Sequence, residues 1–302
     1  TQPWIEIRDN SANLVSDSTL SVSATVDSRT MVGTTNVAAS AGVVRFSGLG
    51  IEGAAATGLV LRFTAEYPAG TTFEKTQTIN LTAGLATKFT IIQQPTTVKT
   101  RAEFANAVSV QLLDQFNNPV PTDSTTVITG QLYKDMTLAS ASVNRTMPTI
   151  SAQASGGVAT FTGLALPVLP SNDYFLRLAL GSFSAISTQF EVLPGDAVTA
   201  TITRQPSSVV GSGSMKTGDL LPIQPAITLY DEDGYVARGD TGNVTVAITS
   251  GTGGTITGTT SRSVVNGIAD FSGMRLIGTP SQGSTPAQQY KLTFSFGNIS
   301  SL

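Results

Sequence analysis

The residues best suited to chemistry in this chain are its carboxylates, because its 302 residues include no cysteine and no histidine. That composition removes thiol nucleophiles, Ser-His-Asp triads, disulfides and the usual zinc ligands. It also removes the side chain that most often serves as a general base near neutral pH. The 20 acidic residues are scattered and mark no shared cleft of the kind that paired carboxylates make in glycosidases. One cluster stands out. Asp231-Glu232-Asp233-Gly234 matches the start of a calcium loop, with Asp231 and Asp233 as candidate ligands. The corresponding turns, Asp9-Asn10-Ser11-Ala12-Asn13 and Asp114-Gln115-Phe116-Asn117-Asn118, lack the second acid, so a β-turn accounts for all three and calcium for one. Four sequons, at Asn80, Asn144, Asn243 and Asn298, would accept N-linked glycans if the source is eukaryotic. A chain this rich in Ser and Thr generates about that many by chance. No cofactor motif is present, and the chain reads as non-enzymatic.

The elements that carry these residues are repeated. Gly42-Val43-Val44-Arg45-Phe46-Ser47-Gly48-Leu49 returns as Gly157-Val158-Ala159-Thr160-Phe161-Thr162-Gly163-Leu164 and as Gly267-Ile268-Ala269-Asp270-Phe271-Ser272-Gly273-Met274. A strand followed by an aspartate turn keeps the same order: Ile5-Glu6-Ile7-Arg8-Asp9, Val110-Gln111-Leu112-Leu113-Asp114 and Ile227-Thr228-Leu229-Tyr230-Asp231. The period near 110 residues is too long for a solenoid unit, so each copy is expected to close its own core. Phe46, Phe161 and Phe271 should face that core, because the residue before each is a cation, a hydroxyl or an anion and must face solvent. The leading Gly42, Gly157 and Gly267 fit a turn that needs positive φ or close backbone approach.

The expected domains are 1–84, lacking a first strand; 85–195, complete; and 196–302, lacking a last strand. The chain therefore reads as a stretch of a longer protein. The alternative is an incomplete sandwich that accepts a strand from a neighbouring molecule. Short β-branched runs punctuated by Gly, Asn, Asp, Ser and Pro predict an all-β fold, with about seven strands of eight to ten residues per copy. Seven short antiparallel strands in about 110 residues point to tandem immunoglobulin-like β-sandwiches in a rod-like array. The linkers after Gly84 and Pro194-Gly195 leave little slack, so the rod should be stiff.

The strings Phe89-Thr90-Ile91-Ile92-Gln93-Gln94-Pro95 and Leu113-Asp114-Gln115-Phe116-Asn117-Asn118, with the glycine-led block, resemble the tandem bacterial immunoglobulin-like repeats of very large surface proteins. Similar repeats occur in algal mastigoneme-type surface filaments. The resemblance implies a spacer, stalk or filament subunit outside the cell. It rests on core and turn signatures and is nearly silent about a partner.

Surface composition adds to that expectation. Only 12% of residues are charged, and mean hydropathy is +0.13. Such a neutral, hydroxyl-rich surface suits packing against copies of itself, with edge strands poorly protected by lysine. Net charge is −3, which offers no basic face to nucleic acid, and no apolar run is long enough for membrane insertion in this segment. The rival reading is an adhesin that grips a glycan or protein through its variable loops, Tyr133 to Met147 and Ile277 to Gln289. Trp4, the only tryptophan, stands where the other copies have Ser109 and Ala226, as a packing contact or a sugar platform.

Overall fold

The computed structural model describes residues 1–67, 70–134, 149–207, 209–210, 213–214, 216–251, 253–278 and 290–300. Among them the chain is all-β. The periodicity of the sequence explains why: apolar residues alternate with polar ones over short runs, and glycine or Asx turns interrupt each run before a helical repeat can build.

The middle segment shows the topology most fully. One path of hydrogen-bonded strands runs Val98–Lys99, Phe190–Leu193, Ser171–Leu180, Val127–Lys134, Ile150–Ser155, Val158–Thr160, Ser109–Leu113 and Lys88–Gln93, with Phe183–Ile186 paired to Ser171–Leu180. Both halves of this path contribute to one buried cluster. Phe89, Val110, Leu112, Ala159 and Phe161 come from one half, and Ile128, Leu132, Leu176, Leu178 and Phe190 from the other. A second cluster gathers Leu221, Ile227, Leu229, Val244, Phe271, Met274 and Phe294, and a third Val22, Ala24, Val44, Phe46, Leu61 and Phe63. Each cluster draws its residues from one sequence copy.

The glycine-led block does the same work in all three copies. Phe46, Phe161 and Phe271 are at most 3% exposed, whereas Arg45, Thr160 and Asp270 are exposed. Gly42, Gly157 and Gly267 have φ of 76°, 78° and 77°. A Cβ at Gly42 would lie 2.5 Å from the Val15 carbonyl oxygen, and one at Gly157 2.4 Å from that of Val120. Positive φ and close backbone approach thus act together, and no other residue type satisfies both.

Strand lengths depart from the expected eight to ten residues. Ala56–Glu66, Thr72–Leu81 and Ser171–Leu180 reach ten or eleven, but Val43–Arg45, Val158–Thr160 and Ile268–Asp270 are only three long. The short ones lie between the positive-φ glycine and the next turn at Gly48, Gly163 or Gly273, which cuts the ladder at both ends. This fragmentation raises the number of described strands per copy above seven.

Candidate functional site at the junctions

The aspartate turns become a site once their neighbours are seen. In each, the carboxylate Oδ1 accepts the main-chain N–H groups two and four residues on: Ser11 and Asn13 to Asp9, Phe116 and Asn118 to Asp114, Asp233 and Tyr235 to Asp231, all at 2.8–2.9 Å. The aspartate N–H in turn donates to the carbonyl four residues on. The residue at the third step has positive φ in every case: Ala12, Asn117 and Gly234. The glycine of Asp231-Glu232-Asp233-Gly234 therefore serves the turn, since Ala12 and Asn117 hold the same conformation without it.

The second carboxylate oxygen reaches outside the turn. Asp114 Oδ2 accepts the N–H of Gly84, and Asp231 Oδ2 accepts the N–H of Gly195, both at 2.9 Å. Gly84 and Gly195 lie in the connections between successive cores. Each aspartate thus ties the incoming connection to the first turn of the core that follows it. Asp114 and Asp231 are 2% and 3% exposed. Burial alone would raise the Asp114 pKa, but the Asn118 side-chain amide and the N–H groups of Gly84, Asn118 and Phe116 outweigh it and lower the value to about 2. Asp9 lies exposed. The hydrogen bonds from Asn13 hold it below the usual carboxylate range.

Around this shared latch the two junctions differ. At the first, Asn118 reaches back to the preceding copy: its Oδ1 accepts the Ala55 N–H at 2.7 Å, and its Nδ2 donates to the Gly53 carbonyl at 3.0 Å. A cleft of about 350 Å³ remains beside it, lined by Ile51, Leu81, Leu85 and Phe116. At the second, charges cross the boundary. Lys99 Nζ lies 2.6 Å from both Asp196 and Asp240, Arg101 pairs with Glu232 and Asp233 at 3.2 and 3.1 Å, and Arg238 lies 3.7 Å from Glu191. Asp240 also accepts the Ala197 N–H at 2.8 Å. Partial burial opposes the Lys99 charge, but the two carboxylates prevail and raise its pKa.

These partners bear on the calcium candidates. Asp231 is engaged by three main-chain N–H groups and Asp233 faces the Arg101 guanidinium. Among the described residues no group of three or more acidic, His or Cys side chains surrounds a common point. Of the sequons, Asn80, Asn243 and Asn298 are exposed; Asn80 accepts the Gly58 N–H and Asn243 accepts the Ser263 hydroxyl. Asn144 lies outside the described residues, as do nearly all of 133–147 and 277–289. Trp4 is exposed, with the Arg45 guanidinium 5.8 Å from its ring centre. Sequence reasoning identified Asp9, Asp114 and Asp231 as turn residues and missed their grip on the connections. It also passed over Lys99, Arg101, Asn118 and Asp240. The available signal was a glycine upstream of Asp114 and of Asp231, but Gly84 and Gly195 stand 30 and 36 residues before them, and that unequal spacing hid the repeat.

No family model matches this chain, and no curated protein matches it. Among solved structures, surface layer protein SbsC, domains 4–9, aligns at a TM-score of 0.25 and 15% identity, covering 98% of this chain and 40% of that one. The native conformation of E. coli alpha-2-macroglobulin aligns at 0.22 and 11%, covering 97% and 20%; the elastase-activated form gives 0.22 and 9%, covering 99% and 32%. The chain thus spans well under half the length of each. At these scores the alignments carry no argument about function.

Proposed function

We propose that this chain is a non-enzymatic structural repeat region of a long extracellular surface or filament protein. In this reading residues 1–84, 85–195 and 196–302 are immunoglobulin-like sandwiches joined into a stiff spacer that packs against copies of itself. The observation that carries it is the repeated latch: Asp114 and Asp231 hold Gly84 and Gly195 by the same bond at the same 2.9 Å. A flexible chain of independent modules has no use for a buried carboxylate aimed at its own linker. A spacer that must keep successive cores in register does, because each latch removes freedom from the few residues between Leu81 and Lys88 or between Leu193 and Thr199. The parallel pairing of Val98–Lys99 with Phe190–Leu193, and the separate core in each copy, support the sandwich assignment.

Small-angle scattering of the 302-residue chain tests the spacer. A single elongated particle, on the order of 100 Å long, is expected. A mixture of bent and compact shapes would overturn it. Electron microscopy of the native full-length protein tests self-packing: an ordered fibre or lattice is expected, and isolated rods would remove that part of the reading.

A further inference from the structure

The middle copy bonds its entering segment directly to its leaving strand, and both of its connections, 82–87 and 194–198, lie inside the sequence. After Lys88–Gln93 the chain crosses to the other half of the core, where Val98–Lys99 pairs in parallel with Val192 and Leu193 of the closing strand. Every other strand pair among the described residues is antiparallel. The bonding continues past the ladder. The Thr100 N–H donates to the Leu193 carbonyl at 2.9 Å, its hydroxyl to the Val168 carbonyl at 2.7 Å, and the Arg101 N–H to the Leu166 carbonyl at 3.0 Å. Val98, Thr100, Phe190 and Val192 are buried, so little water reaches these bonds to compete for them.

Strand direction decides how such bonds meet tension. A pull on the array draws the entering segment toward its N-terminal side and the closing strand toward its C-terminal side. Parallel strands loaded in that way slide lengthwise, and the bonds between them bear the load together, whereas a hairpin pulled open at its free ends loses its antiparallel pairs one after another. We propose that segment 98–101 is a tension clamp, which carries load by shear between the entry and the exit of the middle core and leaves the edge strand Phe183–Ile186 off the load path. The next core braces the same segment. Lys99 and Arg101 stand on either side of buried Thr100 and reach Asp196 with Asp240, and Glu232 with Asp233. The Lys99 stem passes over Gly239, where a Cβ would come within 2.8 Å of its Cε, so a glycine keeps that crossing open. Load arriving from the third core is therefore shared between the Gly195 connection and these ion pairs. The use of the clamp rests on the spacer reading, but the clamp is a property of one core: scattering tests the first and force the second, so either can fail alone.

Single-molecule force spectroscopy on the 302-residue chain supplies the test, because the absence of cysteine lets handles be placed one pair at a time. With cysteines at exposed Thr87 and Val198 the load runs through the clamp. With cysteines at Thr87 and at Ser182, in the turn between Ser171–Leu180 and Phe183–Ile186, it leaves before the closing strand. Opening of the middle core between 87 and 198 releases on the order of 350 Å of chain, which identifies the event. At one loading rate the 87–198 pair should need the higher force. Thr100→Val removes the hydroxyl donor and keeps the shape; under constant force it should speed opening about fivefold in the 87–198 geometry and leave the 87–182 geometry unchanged. The comparison of geometries uses the parent core and does not depend on how the variant folds. Equal forces in the two geometries, a higher force for 87–182, or a Thr100→Val effect that is absent or of the same size in both would overturn the proposal.

Discussion

The two junctions share one latch and differ in everything around it. At Gly84 the supporting contacts are neutral: an asparagine side chain spans the boundary to the Gly53 carbonyl and the Ala55 N–H. At Gly195 they are ionic, with Lys99 held between Asp196 and Asp240 and Arg101 against Glu232 and Asp233. A single residue pair shows how the difference arises. Asp123 and Asp240 both stand nine residues after their turn aspartates. Asp123 bonds to the N–H groups of Thr125 and Thr126 and to the Thr126 hydroxyl, closing its own loop, while Asp240 turns to Lys99 and the Ala197 N–H. The lesson is that a repeated turn fixes where two cores meet, and non-repeated residues beside it set how that meeting responds to salt and pH.

The largest expected effect comes from the shared element. Asp114→Ala leaves the N–H groups of Gly84, Phe116 and buried Asn118, with the Asn118 side-chain amide, without their buried acceptor and should cost on the order of 3 kcal/mol in denaturant unfolding of the middle core. Asp231→Ala should behave alike, whereas Asp9→Ala, at an exposed turn, should cost clearly less. Equal losses at all three would break the distinction between latch and plain turn. Asn118→Ala comes next, at about 1–2 kcal/mol, and should loosen the first junction without touching the second.

Salt separates the junctions more gently. At 1 M NaCl the screening length falls to about 3 Å. The partly exposed pairs of Arg101 and Arg238 should then weaken, widening the distribution of distances across the second junction while the first stays narrow. The pH responses should also lie at opposite ends of the scale. Asp114 has a folded pKa of about 2, below its unfolded value, so its contribution is complete above the unfolded pKa of 3.8 and is lost as pH falls through about 2. Lys99 has a raised pKa, so its contribution is complete below the unfolded value of 10.5 and is lost only as pH rises above that. Acid difference spectra of Asp114→Asn against the parent, and alkaline titration of Lys99→Met, would check each direction.

Much of the fold was legible because the chain states it three times. A position that holds Arg45, Thr160 and Asp270 in successive copies must face solvent, which orients Phe46, Phe161 and Phe271 inward without any structure. Gly42, Gly157 and Gly267 were legible as turn residues for the same reason. The short strands were not, because a three-residue ladder such as Val43–Arg45 is cut by positive φ at its ends, and alternation over so few residues carries almost no length information. The latch was half legible: the aspartates stood out, but their partners are main-chain N–H groups, which any non-proline residue supplies. The ion pairs were invisible because Lys99 and Asp240 are 141 residues apart, and the aspartate that matches Asp240 in the middle copy, Asp123, bonds within its own loop.

The most direct test of the latch uses the absence of cysteine, which lets spin labels be placed at will. Cysteines at exposed Thr76, Ser151 and Ser261 report on the two junctions in pairs through pulsed dipolar distance distributions. Narrow distributions across both junctions are expected, with Asp114→Ala broadening only the 76–151 pair and Asp231→Ala only the 151–261 pair. Broad distributions in the parent chain, or narrow ones that survive both substitutions, would contradict the claim that these aspartates hold successive cores in register.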